Sequence, residues 1–422
     1  MQYKKTILKN GLRIITVPMK DNPTVTVLVL VEAGSKYETK DKNGISHFLE
    51  HMCFKGTVKR PSNTEISSEL DSLGAHYNAY TGDERTGYYA KVEYQQLDKV
   101  LDIISDMYLN PLLPDKEIEK EKGVIIEEIN MCEDLPKRKV QIVFLELLYG
   151  DQPAGREVLG PKENINKMAR EDFVSYRDKF YVPKATTVVV AGNFNEAKAV
   201  KSISNIFGKI KEKNKGEKVK TNEKQQKPQV KIFNKDTDQT HLVLGVRTFD
   251  IYDKRNPAIN VLRGILSGGM SARLFKKMRD EMGICYYVHA GVDSATDCGY
   301  FSVSAGVDSR RVKEAISVIL AEFNDLKEKL ISPEELKRVK QQIAGSLFLS
   351  LESSDSLAEF YGDQEIMNEK IKTPEEIKKE IEAVTAEDIK KLAKQVFVDA
   401  GLNLALVGRF PDKKQFEDIL KF

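Results

Sequence analysis

Apolar and polar positions alternate along this chain with two periods. From Thr24 to Val31 the residues are β-branched or apolar throughout, bounded by Pro23 and Gly34, which predicts a strand. Gly44 to Cys53 has the helical period. Asn63-Thr64-Glu65 opens a helix from Thr64 to Leu73 that stops at Gly74. Tyr77 to Tyr80 and Thr86 to Val92 read as a hairpin around Gly82-Asp83. Leu97 to Tyr108 and Val312 to Leu326 are amphipathic helices, each following a strand. The mixture predicts an α+β fold, with helices layered on a largely antiparallel sheet.

The pattern fades between Gly208 and Lys231, where Lys, Glu, Gln and Asn leave few residues to bury. Such a stretch cannot offset its ordering entropy by burial and reads as a solvated linker. On either side the chain repeats itself. Ala191-Gly192-Asn193-Phe194 and Val407-Gly408-Arg409-Phe410 each end an apolar strand, 216 residues apart. Arg170-Glu171-Asp172-Phe173 and Ala386-Glu387-Asp388-Ile389 open helices at the same offset. Gly87-Tyr88-Tyr89 matches Gly299-Tyr300-Phe301 at 212. A repeat this long predicts duplicated domains rather than a solenoid. The expected division is 1–207, a linker at 208–231, and 232–422.

Composition narrows the function classes. The 422 residues are 41% apolar and 31% charged, which is globular. Lys plus Arg is 66 against 64 for Asp plus Glu, so no electrostatic footprint for nucleic acid or an anionic membrane exists. The four cysteines (Cys53, Cys132, Cys285, Cys298) form no CxxC pair and suit a reducing compartment. The start of the chain has basic residues without a following apolar h-region. The longest apolar run, Thr24 to Ala33, contains Glu32 and falls short of the roughly 20 residues a membrane helix needs. A soluble, cytoplasmic protein is expected.

The strongest chemical signal is His47-Phe48-Leu49-Glu50-His51. On a helix, residues four apart share a face, so His47 and His51 can bring their imidazoles to one point with Glu50 beside it. Two imidazoles and one further ligand hold zinc and leave a site for water. A neighbouring carboxylate can take that water's proton and return it to a leaving amine. H-x-x-E-H is the inverzincin order. The other histidines, His76, His241 and His289, lack a partner at this spacing and read as structural or exposed. The third ligand is sought among the glutamates of 117–133. There Glu121 and Glu128 lie two helical turns apart, and Glu128 is set among Ile125, Ile126 and Ile129.

Residues 47 to 57, HFLEHMCFKGT, resemble the zinc helix of the pitrilysin/insulinase family of metallopeptidases, which includes the mitochondrial processing peptidase. In that family the motif is followed by a ligand glutamate after about 74 to 76 residues; here 76 residues separate His51 from Glu128. The resemblance implies that His47, His51 and Glu128 bind one zinc ion, that Glu50 is the general base, and that Glu121 orients the site. The family also carries a second glutamate seven residues before the ligand, which matches Glu121; Glu127 is the adjacent alternative ligand but falls outside that spacing. Asn78-Ala79-Tyr80-Thr81 resembles the family's edge strand, where an extended substrate pairs by β-augmentation. Gly268-Gly269-Met270-Ser271-Ala272-Arg273 is similar to its glycine-rich loop. Arg279 and Tyr286 resemble its Arg…Tyr pair, which implies that Arg279 holds substrate and Tyr286 donates to the oxyanion. Without the resemblance, Gly268-Gly269 reads as a helix-start turn and Arg279 as a surface residue.

The implied fold is two homologous α/β-sandwich domains joined by a linker, half of a clamshell. The implied function is a zinc endopeptidase acting on peptides or unfolded polypeptide inside a closed chamber. A homodimer, or a heterodimer with a homologous chain, would complete that chamber. The second half carries no H-x-x-E-H, and its helix from Glu334 to Leu347 has Val339 and Ser346 where the first half has Glu121 and Glu128. Only the first half is therefore expected to hold metal. Two rivals stand beside this reading. One is a non-catalytic scaffold of the same fold, like respiratory-complex core subunits. The other is a closed structural zinc site, which needs a fourth ligand such as Cys53; that residue lies roughly 200° around the helix from His51.

Overall fold

The computed structural model describes residues 2–367 and 370–422. Eleven strands form among them: β1 (Lys4–Ile7), β2 (Arg13–Pro18), β3 (Thr24–Val31), β4 (His76–Thr81), β5 (Thr86–Glu93), β6 (Thr186–Gly192), β7 (Gln229–Asn234), β8 (Thr240–Arg247), β9 (Cys285–Ser294), β10 (Gly299–Val307) and β11 (Asn403–Gly408). One sheet has the order β1-β2-β6-β3-β5-β4, the other β7-β11-β8-β10-β9. Apart from β1 the two orders are the same. The directions match too: β2/β6 and β7/β11 are parallel and the remaining pairs antiparallel. The internal repeat is thus a repeat of topology, a mixed α/β domain present twice.

Each sheet anchors its own compact unit. The first comprises Met1–Asn130, Arg156–Val219 and Leu349–Thr373; the second comprises Met131–Gly155, Lys220–Phe348 and Pro374–Phe422. These units differ from the linear division at 208–231, because each takes one helix from the other half of the sequence.

In the first unit that helix is Ser354–Met367, which packs on β3 and β6. Both faces of β3 are buried, which is why its sequence is a continuous β-branched run rather than an alternation. Gly362 permits the close approach: a Cβ there would lie 2.5 Å from Cδ1 of Leu30. Ser354 Oγ lies 2.8 Å from Thr26 Oγ1, and Asp355 and Asp363 pair with Lys91 and Arg85 of β5 and its turn. In the second unit the helix Pro136–Tyr149 lies over β7, β8 and β11, with Phe144 filling the space beside Gly245.

The lysine-rich stretch is exposed over most of its length yet tied down. Lys215 pairs with Glu32 at 2.7 Å and Lys218 with Glu84 at 2.9 Å in the first unit. In the second unit, Thr221 N–H donates to Asp297 and Asn222 N–H to Gln152. Glu84 is itself buried against Lys36, at 2.9 Å. All four cysteines are free and buried. Among the described residues, no helix is long and apolar enough to cross a membrane.

Candidate metal centre

The H-x-x-E-H residues lie on the helix Ile45–Met52, which is buried almost throughout. Its start has no side-chain cap of the ordinary kind. Gly44, at the N-cap, has φ +101°, a left-handed conformation in which a Cβ would also lie 2.6 Å from Leu159 O. The orphaned donors are taken by Glu38, which lies outside the helix. Its carboxylate accepts from Gly44 N–H, Ser46 N–H and Asn43 Nδ2, each at 2.8 Å. Burial pushes the Glu38 carboxyl up from its ordinary range, opposed by these hydrogen bonds. Ser46 Oγ adds a 2.7 Å contact to Tyr176 OH. The sequence reading passed over Glu38, because capping signals are local and this one acts across a loop.

Helical spacing then brings the imidazoles together, their ring centroids 4.6 Å apart. The long helix Asp115–Asp134 supplies the acids. Glu128 Oε2 lies 3.5 Å from His47 Nε2 and 3.8 Å from His51 Nε2. One ligand atom from each of His47, His51 and Glu128 lies within 4.8 Å of the others, and among the described residues this is the only such group. Donors around a tetrahedral zinc stand about 3.3–3.5 Å apart, so this set fits zinc with little adjustment. Glu127 points elsewhere, exposed and bonded to Asn130.

One helical turn pair before Glu128, Glu121 is buried with Oε1 2.9 Å from His51 Nδ1 and Oε2 2.6 Å from Lys55 Nζ. An ionised carboxylate only accepts, so Nδ1 carries the proton and Nε2 is left free to face Glu128. Burial alone would raise the Glu121 carboxyl; the bonds from His51 and Lys55 hold it below its ordinary value.

Glu50 is buried beside this group, and Thr81 Oγ1 donates to its Oε2 at 2.6 Å. Burial pushes its carboxyl up, opposed by Thr81 and His51 and reinforced by Glu128. Its place beside the two imidazoles suits this carboxylate to proton transfer. Thr81 ends β4, the edge strand of its sheet, so the same strand holds Glu50 and offers an unpaired backbone edge. The pleat places Ala79 and Thr81 on one face and Asn78 and Tyr80 on the other. Asn78 accepts from the Ala79 N–H, and Tyr80 reaches toward Arg85. Thr81, rather than Asn78, is the strand residue in contact with the site.

Cys53 lies at the end of the motif helix with its thiol buried against Tyr88 OH, so it is no fourth ligand. His76 lies tilted against Tyr89, His241 stacks on Tyr287, and His289 touches Ser267. In the second unit, Gly268 ends the helix Asn256–Ser267 and Gly269 follows at φ +113°. Arg273 is held by Glu335 and Asp325. Arg279 lies on a wide π-type turn, Phe275–Glu281, a form enriched at functional sites. Its guanidinium sits 5.4 Å from the ring of Tyr286, which is 73% exposed. Val339 is buried in the second unit's core, with no acid in its place.

Residues 13–162 match the model of the insulinase domain of peptidase family M16, and residues 167–343 match the peptidase M16 inactive domain. An uncharacterized zinc protease of Bacillus subtilis (strain 168), YmxG, is 34% identical over 400 residues, covering 94% of this chain and 96% of that protein. The chain belongs to the insulinase (M16) family. Its fold is that of other M16 proteins. A protease from Helicobacter pylori superposes with a TM-score of 0.89 at 23% identity, covering 97% of this chain and 99% of that one. A structure described as a peptidase M16 inactive domain from Pseudomonas fluorescens gives 0.89 at 16% identity, with the same coverage. Within this M16 chain His47, Glu50, His51, Glu121 and Glu128 fall in the insulinase-domain match, and Arg279 and Tyr286 in the inactive-domain match.

Proposed function

We propose that this M16 chain is a zinc-dependent endopeptidase with one metal per chain. The observation that carries the reading is the convergence of His47, His51 and Glu128 beside a buried Glu50. Zinc bound there would polarise a peptide carbonyl and acidify a water molecule. The chain's own residues do the rest. The free edge of β4 pairs with an extended peptide and sets the scissile bond in register. Thr81 orients Glu50, whose carboxylate takes the water's proton and hands it to the departing amine. Glu121 keeps His51 in one tautomer. Tyr286 donates to the developing oxyanion, and Arg279 holds substrate.

Peptides and unfolded segments are the substrates, since an edge strand accepts only extended backbone. We further propose that the chain works as a dimer, each metal site completed by the Arg279 and Tyr286 of the second copy. Cytoplasmic residence is favoured by four buried free thiols.

The test is hydrolysis of quenched-fluorescent peptides with zinc measured on the same sample. Chelator-sensitive cleavage with one zinc per chain, abolished in a Glu50→Gln variant that still holds zinc, is expected. Cleavage by Glu50→Gln at the wild-type rate would sink the mechanism; zinc without cleavage of any peptide would favour a scaffold.

A further inference from the structure

The second unit carries a group of basic side chains with which no carboxylate pairs among the described residues. The register of β8, β10 and β9 sets His241, Gly306 and Tyr287 in one row, and Val243, Ser304 and His289 in the next row on the same face. Gly306 has no side chain to separate its neighbours, so His241 Nδ1 comes 3.0 Å from Tyr287 OH. Lys137, from the helix that lies over this sheet, places its ammonium 4.6 Å from the Tyr287 ring centroid. His289 Nδ1 lies 3.4 Å from Ser267 Oγ. Arg263 is four residues before Ser267 on the helix Asn256–Ser267, so it lies on the same helix face as the serine that touches His289.

Among the described residues no carboxylate pairs with Arg263 or Lys137, and Arg263 Nε is buried without a hydrogen-bond partner. Burial holds the Arg263 guanidinium below its ordinary range. The His289 imidazole is held down by burial, then by Arg263 and Lys137. On this face of β9 the acid is Asp293, four residues beyond His289, about 13 Å along the strand. A partly buried guanidinium without a counter-charge is costly, and the cost is relieved when a ligand supplies the charge.

We infer that Arg263, Lys137, His289 and Ser267 form a binding site for an oxyanion, either a peptide carboxylate or inorganic phosphate. It is separate from the residues of the proposed peptidase reaction, and its test needs no turnover. Thermal melting of the whole chain is followed while titrating sodium phosphate, a ten-residue glutamate peptide and its glutamine counterpart, at constant ionic strength set with chloride. A saturable rise with phosphate or with the glutamate peptide, absent with glutamine, is expected; which of the two acts identifies the source of the anion. Arg263→Met should melt higher than wild type without ligand and lose the response. Lys137→Ala changes an exposed residue, should fold normally, and should bind about tenfold more weakly. No saturable rise with either anion, or a rise unchanged in both variants, overturns the site.

Discussion

Glu121 holds His51 from behind: its Oε1 lies 2.9 Å from the ring nitrogen that faces away from Glu128. Lys55, 2.6 Å from the other oxygen, keeps that carboxylate ionised. Replacing Glu121 by Ala frees the imidazole to turn and to change tautomer. Zinc affinity should fall by about 10- to 100-fold. Competition with a chromogenic chelator measures it, and Lys55→Ala should show a smaller loss in the same assay.

Glu38 closes the start of the motif helix with three hydrogen bonds from buried donors. Glu38→Ala strands those donors and should cost about 3 kcal/mol of stability, read from urea unfolding. Glu38→Gln keeps one carbonyl oxygen as acceptor and should lose less. Equal losses in the two variants would mean that the side chain fills space rather than capping the helix.

Glu84 supplies a pH dependence. Burial would raise its carboxyl, but Lys36 and Lys218 outweigh that and hold it below the ordinary 4.5. A depressed acid contributes stability above its unfolded value that is lost as pH falls through the folded one. The wild-type melting temperature should therefore fall more steeply below pH 4.5 than that of Glu84→Gln, while at pH 7 the variant is the less stable of the two.

Sharing of sites between copies is open to a mixing experiment. Glu50→Gln removes the proposed base and Arg279→Ala the proposed substrate contact, so each alone should be inactive or nearly so. If Arg279 acts on the second copy's metal site, mixing the two variants after dissociation should restore measurable cleavage. No recovery, with dimers confirmed by light scattering, would place Arg279 within its own chain's site or outside the reaction.

What was legible in the sequence is what depends on local spacing. His47, Glu50 and His51 share a helical face by their spacing; Glu121 and Glu128, two turns apart on a second helix, are candidates by spacing and are singled out by the family resemblance. Thr81 and Glu38 escaped, because each reaches the motif helix across a fold that only the tertiary structure defines. Nor does periodicity say that Pro136–Tyr149 and Ser354–Met367 will each cover a sheet built by the other half of the sequence. The wide turn at Phe275–Glu281 has no Gly or Pro to announce it.

The late position of Ser354–Met367 has a consequence for synthesis. β3 and β6 leave the ribosome long before the helix that covers them. At ordinary elongation rates the interval is roughly 10–30 s. During it the unit bearing His47, His51 and Glu128 lacks part of its core. A nascent chain is thus denied a finished first unit until most of its length has been made, a built-in delay on the proposed proteolytic activity.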